Sequence, residues 1–155
     1  MRSTAIVDAG PLLASLDRRD PDHVRCAEVL RRRDLDLVIP TLVIAEVAHF
    51  AAVRLGPRGQ AAFARSLRSF SLETPEPDDW PLIADMVERY ADFPLGTVDA
   101  SIAVLADRLD TDLIVTLDRR HFGAIRSPRG RAFRLLPEPK QVHEQPAEYL
   151  PGTEP

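Results

Sequence analysis

The sequence predicts an α/β fold, with a mostly parallel sheet carrying helices on both faces. Three short runs, Ala5-Ile6-Val7, Leu37-Val38-Ile39 and Leu113-Ile114-Val115-Thr116-Leu117, are apolar without alternation, as expected for strands covered on both sides. Between them the apolar residues recur at helical spacing, so strands and helices alternate along the chain. No internal repeat interrupts that order. At 155 residues the chain suits one domain with a real core, and 45% apolar against 28% charged residues is an ordinary globular balance. No run approaches the roughly 20 apolar residues of a membrane span, and no basic-then-apolar leader opens the chain, so the expected setting is the cytoplasm, with no membrane partner. Cys26 is the only cysteine, which excludes an intrachain disulfide and a Cys-based zinc site. With 24 acids against 20 bases and a net charge of −4, the chain is no passive basic coat for nucleic acid. Acids gathered in one cleft with arginines around it remain compatible with that balance. Every base but Lys140 is arginine, a bias that more often follows genome composition than function.

The first strand ends on Asp8, followed by Ala9-Gly10-Pro11. Gly10 permits a sharp turn, and Pro11 suits the first turn of a helix, where its missing N–H goes unneeded. The carboxyl end of a buried parallel strand opens on the crevice where α/β proteins bind ligands, so Asp8 is aimed there or caps the next helix. Leu12 to Leu16 reads as a short helix. Asp20-Pro21-Asp22 begins another that runs through Arg33, with Val24, Ala27, Val29 and Leu30 apolar. Arg31-Arg32-Arg33 suits the dipole at its end.

The second strand stops at Pro40, and Thr41 is placed to cap a helix from Leu42 to Leu55. That helix is apolar almost all round and is expected inside the molecule, with Glu46 in its middle turns. Gly56-Pro57 ends it and starts a further helix towards Phe70. Phe70 to Glu73 suits a short strand. Asp78 or Asp79 caps a helix from Trp80 to Tyr90, where Trp80 is expected to pack. Phe93-Pro94-Leu95-Gly96 is a loop, and Thr97 caps a helix bearing Asp99, Val98, Ile102, Leu105, Ala106 and Leu109. The strand from Leu113 to Leu117 ends on Asp118, and Ala132 to Leu136 is an alternating edge strand. From Pro137 to Pro155 there are five prolines and few large apolar side chains, the composition of a non-core tail. The expected division is therefore a folded domain over 1–136 and a Pro-rich tail over 137–155.

Asp8 and Asp118 end strands that share one edge if the sheet is parallel. Asp99 opens a helix whose face is otherwise apolar, and Glu46 lies on a nearly all-apolar one. An unpaired buried carboxylate costs several kcal/mol, and these core elements hold no lysine and almost no arginine. Helix caps account for Asp99 and Asp118 but poorly for Glu46. Convergence of the four on a divalent cation accounts for all, and oxygen-only ligands favour Mg²⁺ or Mn²⁺ over Zn²⁺. The histidines His23, His49, His121 and His143 show no metal-ligand spacing, and no nucleophile–histidine pair is indicated.

Val7-Asp8 after a first strand, Glu46 on the helix after the second, Val98-Asp99-Ala100 opening a helix and Thr116-Leu117-Asp118 ending a strand together resemble the PIN-domain pattern. More narrowly, residues 4 to 136 resemble a VapC-type toxin ribonuclease. The resemblance implies a three-layer α/β/α sandwich with a Mg²⁺ or Mn²⁺ site at Asp8, Glu46, Asp99 and Asp118; within that site we assign Asp8 and Asp99 as the main ligands, with Glu46 and Asp118 as ligands directly or through water. It further implies endonucleolytic cleavage of RNA, a VapB-like antitoxin partner and a homodimer. Some members carry a further acid just beyond the position of Asp118, whereas this chain has Arg119-Arg120-His121, so a complete second metal site does not follow. Arg119 and Arg120 are instead candidates for holding a phosphate, or else belong to a solvated loop.

Other readings fit less well. A receiver-type phospho-acceptor needs a paired acid after the first strand and a lysine near the last; a haloacid-dehalogenase-like phosphatase needs an acid where Gly10 stands. A non-catalytic interaction module leaves Glu46 unexplained, and a structure-specific DNA nuclease of the same superfamily has little room here for its clamp.

Overall fold

Ser3–Val7 (β1) lies at the centre of a five-stranded sheet in the order β3-β2-β1-β4-β5, where β2 is Leu35–Pro40, β3 Ser71–Glu73, β4 Leu113–Val115 and β5 Arg134–Leu136. The computed structural model describes residues 1–139, and all five strands pair in parallel. The unalternating runs are the central strands, as sequence predicts: Ala5, Ile6, Val7, Ile39, Ile114 and Val115 are wholly buried. The edge strand expected at the C-terminal end is β5.

The helices are α1 (Ala9–Leu16), α2 (His23–Leu30), α3 (Thr41–Ser66), α4 (Asp79–Arg89), α5 (Thr97–Arg108) and α6 (Arg119–Ala124). Right-handed crossovers put α1, α2 and α3 on one face and α4, α5 and α6 on the other. The packing agrees, since α1 rests on α2 and α3 while α4 rests on α5. The chain therefore leaves β1 towards one face and the neighbouring β4 towards the other. Their shared carboxyl edge is the switch point at which open α/β sheets form a crevice.

Several expectations need correction. The first half of α3 is not interior. Val43, Val47 and Ala51 are buried, but Ala45, His49, Ala52 and Val53 face solvent, Val53 being 71% exposed. The interior helix is α5, buried continuously from Ala100 to Asp107. Its alanines and Ser101 let it lie close to the sheet while α4 covers its outer side. Gly56 breaks α3 with φ 65°, a conformation open to glycine at little cost, so the predicted boundary at Gly56-Pro57 is a kink between two helices. Trp80 is 45% exposed and does not anchor the core; Ile83 and Met86 do. Val24 is likewise exposed.

The second helix ends at Leu30, earlier than expected, with Arg31 as its C-cap. Arg32 beyond it pairs with Asp34. Asp79 stands in the first turn of α4, where it accepts from Glu76 N at 2.8 Å and pairs with Arg108 at 3.1 Å. Cys26 is a buried core residue. Contacts to the fold continue just past Leu136. Arg119 donates to the Pro137 carbonyl, and Arg25 Nη1 donates to the Glu138 carbonyl at 3.0 Å. The rest of the predicted tail, with Lys140 and His143, lies outside the described residues. Among the described residues no helix is long and apolar enough to cross a membrane.

Candidate active site

Asp8 follows β1 directly and caps α1. Its backbone N–H bonds to Val115 O at 2.9 Å, continuing the β1–β4 ladder one step beyond the strands, and its Oδ1 accepts from Ala9 N at 2.7 Å. Gly10 contributes through close approach rather than a turn. It is helical, and a methyl group there would stand 3.4 Å from Leu117 Cβ, so the turns after β1 and β4 abut. Burial raises the pKa of the Asp8 carboxyl, the bonds from Thr116 and Ala9 counter that rise, and the charge of Asp118 adds to it.

Thr116 joins the two strand ends. Its hydroxyl donates to Asp8 Oδ2 at 2.7 Å and accepts from Asp118 N at 2.9 Å, and the residue is fully buried. Asp118 then caps α6, accepting from His121 N at 2.9 Å, while His121 Nδ1 donates to its other oxygen at 2.6 Å. Asp99 sits in the first turn of α5. Its pKa is pushed up to about 6, first by burial and then by the charges of Asp8 and Asp118; His121 lowers it and Glu46 raises it again. Glu46, half-buried on α3, is raised by burial and by Asp8.

Asp99 thus feels the other three acids, and Asp8 and Glu46 each feel a neighbouring acid, at the carboxyl edge of the sheet. Asp8, Glu46 and Asp99 have no cationic side chain in ion-pair contact among the described residues. The donor set is all oxygen, of one charge sign, and compatible with a hard divalent cation. As the side chains stand, no three acidic, histidine or cysteine residues among those described form a closed ligand group. The acids are neighbours at electrostatic range, and a bound cation would have to draw them together.

The two arginines after Asp118 diverge. Arg119 Nη2 donates to the carbonyls of Leu135 and Pro137, so its guanidinium is engaged with the edge strand rather than free for a phosphate. Arg120 is exposed, with Cζ 5.6 Å from the centroid of the Phe93 ring. Both lie in the first turn of α6, a helix absent from the sequence reading, which allowed only a loop there.

Thr116 and His121 are the site residues that sequence reasoning passed over in these roles. A signal existed for His121, which stands three residues after a capping acid, one helical turn away, whereas the place of Thr116 opposite Asp8 follows only from the β1–β4 register. The other described histidines are elsewhere, His23 Nδ1 lying 2.9 Å from Ala14 O and His49 edge-on to Phe50.

Comparison with known proteins gives concordant findings. The family model described as PIN domain matches residues 5–127. Ribonuclease VapC26 of Mycobacterium tuberculosis (strain ATCC 25618 / H37Rv) is 36% identical over 134 residues, covering 85% of this chain and 99% of that protein. Among solved structures, Mycobacterium tuberculosis VapC20, described as a sarcin–ricin loop cleaving toxin, superposes with a TM-score of 0.66 at 17% identity, covering 72% of this chain and 87% of that one. The DNA-bound VapBC of Salmonella typhimurium gives a TM-score of 0.64 at 20% identity over 87% and 98% of the respective chains.

Proposed function

This chain belongs to the PIN domain family, and from that premise we propose that it is a metal-dependent endoribonuclease, the toxin of a VapBC-type toxin–antitoxin pair. The observation that carries the proposal is Asp99. Its carboxyl is pushed up to about 6 by burial and by the field of Asp8, Asp118 and Glu46, with no cationic side chain in ion-pair contact among the described residues. An arrangement so unfavourable in isolation is supported by a ligand that brings positive charge.

Asp8 and Asp99 are the residues we assign as main ligands of Mg²⁺ or Mn²⁺, with Glu46 and Asp118 completing the set directly or through water. When bound, the cation supplies charge neutralisation at the phosphoryl group and a more acidic water. The chain's own residues position that chemistry. Thr116 and Ala9 N hold both oxygens of Asp8 in place. His121 orients Asp118. Asp99 holds its proton to higher pH than an ordinary carboxyl while the cation is absent. Arg120, exposed beside the carboxylates, is the residue we assign to a substrate phosphate; Arg119 supports it by fixing α6 to β5.

The partner we infer is a VapB-like antitoxin, the assembly a homodimer and the setting the cytoplasm. The outward apolar side of α3, with Val53 and Phe50, supports a partner-covered surface. The test is cleavage of single-stranded RNA by the purified protein with Mg²⁺ or Mn²⁺, beside a DNA strand of the same sequence. Cleavage of RNA that stops in EDTA and returns with Mn²⁺ is expected. Full activity in the chelator would sink the metal mechanism, and preference for DNA the substrate class.

A further inference from the structure

Four carboxylates and an arginine act on a phosphodiester, which is the same at every nucleotide. Nothing among them reads a base. Beside them stands a group that has that capacity. Phe93, half-buried in the loop between α4 and α5, has its ring centroid 4.9 Å from that of His121 at an interplanar angle of 54°. Arg120 Cζ lies 5.6 Å from the same centroid. His121 in turn bonds to Asp118 at 2.6 Å. Three residues after Phe93 the loop passes Asp99 so closely that a methyl group on Gly96 would stand 3.7 Å from its Oδ2. The aromatic ring therefore stands one side chain, His121, away from Asp118, in the loop that leads to Asp99.

The loop is held in place. Phe93 N bonds to Tyr90 O at 2.9 Å, the Tyr90 hydroxyl accepts from Arg126 N at 2.9 Å, and the Phe93 ring also rests on the core. Besides the core, the ring meets a histidine and an exposed arginine at the rim of the site. Unpaired bases of single-stranded RNA stack on aromatic rings and on guanidinium planes, and a ring fixed in advance loses little freedom when a base arrives.

We propose that Phe93, with Arg120 beside it, is a docking platform for one nucleobase adjoining the scissile phosphate of single-stranded RNA. The proposal rests on the ribonuclease reading of the carboxylate site and adds to it the group that positions the strand. Phe93 is thus a positioning residue, and the phosphate chemistry stays with the acids.

The experiment compares wild type, Phe93→Leu and Phe93→Trp in steady-state cleavage of a short single-stranded RNA with Mn²⁺, once the cleaved bond has been mapped. Leucine keeps the apolar bulk and removes the π face; tryptophan keeps the face. Phe93→Leu should raise KM about tenfold with kcat changed less than about twofold, and Phe93→Trp should restore the wild-type KM. An abasic nucleotide next to the cleaved bond should raise the wild-type KM to the same degree and add nothing in Phe93→Leu. Unchanged KM in Phe93→Leu, or independent addition of the two effects at every position, would overturn the platform. If Phe93→Leu does not fold, Phe93→Met, which also removes the π face, is read in the same way, with a rise in KM that does not grow further on the abasic strand. A wild type that cleaves no RNA would overturn the ribonuclease reading itself, an outcome distinct from active enzyme with an indifferent Phe93.

Discussion

The Thr116 hydroxyl donates to one candidate metal ligand and accepts from the backbone of another. Thr116→Val keeps the shape and removes both bonds. Buried Asp8 then loses a donor that lowers its pKa, so the carboxyl should hold its proton to higher pH and Mn²⁺ affinity should fall about tenfold or more by calorimetric titration. Thr116→Ser should recover most of it; equal affinity in all three proteins would leave the hydroxyl with packing alone. Asp99 makes a prediction about pH. Its folded pKa is raised to about 6 from the ordinary 3.8 of an aspartate, so the unfolded state gives up its proton first. The stability that Asp99 contributes to the metal-free protein should be fully present below about pH 4 and be lost as pH rises through about 6, by about 1–2 kcal/mol once screening of a part-exposed group is allowed for, read as the difference between wild type and Asp99→Asn. Asp99→Asn should flatten that part of the profile and abolish cleavage; an unchanged profile would mean the carboxyl is not strained. Glu46→Gln should lower cleavage per folded molecule about a hundredfold and weaken Mn²⁺ binding while leaving the melting temperature close to wild type. Normal rate and normal binding would remove Glu46 from the site. The four acids were legible as residues because each breaks a local rule, a charge at the end of an apolar strand or on an apolar helix. Thr116 breaks none, and its role becomes visible only when β1 and β4 lie side by side.

Elements were legible where one period dominates. β1, β2 and β4 follow from unbroken apolar runs, and the Gly56-Pro57 break follows from backbone chemistry. There the structure permits a direct check: Gly56 has φ 65° and nothing within 4 Å of an added methyl group, so Gly56→Ala meets conformational cost without a clash. It should destabilise the protein by about 1 kcal/mol, seen as a lower denaturation midpoint. A midpoint at or above wild type would mean the kink relaxes into straight helix at no cost. The exchange of roles between α3 and α5 could not be read locally. Both are rich in apolar residues, and which one lies on the sheet depends on the close approach that alanines and Ser101 allow in α5. The six-residue α6 is too short and too charged to show a period. Trp80 illustrates the limit of residue type as a guide to burial, since its helix buries Ile83 and Met86 and leaves the larger ring half exposed.

At the scale of the molecule, the parallel order and the β1/β4 switch point bring together acids separated by as much as 110 positions of sequence, from Asp8 to Asp118. The same topology ties the C-terminal end of the fold to that place. Arg119, one peptide bond from Asp118, holds the carbonyls of Leu135 and Pro137. A chain stopped at residue 139 should cleave as the full chain does, whereas one stopped at 133 loses β5 and with it the hold on α6, and should lose most of its activity. Equal activity of the two would show that Asp118 needs no such support. In mechanical terms β5 and α6 form a short lever. Tension at residue 139 reaches the Arg119 guanidinium first, through the Pro137 carbonyl, and Asp118, the residue before it, next. A bulky folded protein fused directly after residue 139 should therefore depress cleavage, and a Gly/Ser spacer between the two should relieve it, which makes that end of the chain a handle by which the rate can be set from outside the cleft.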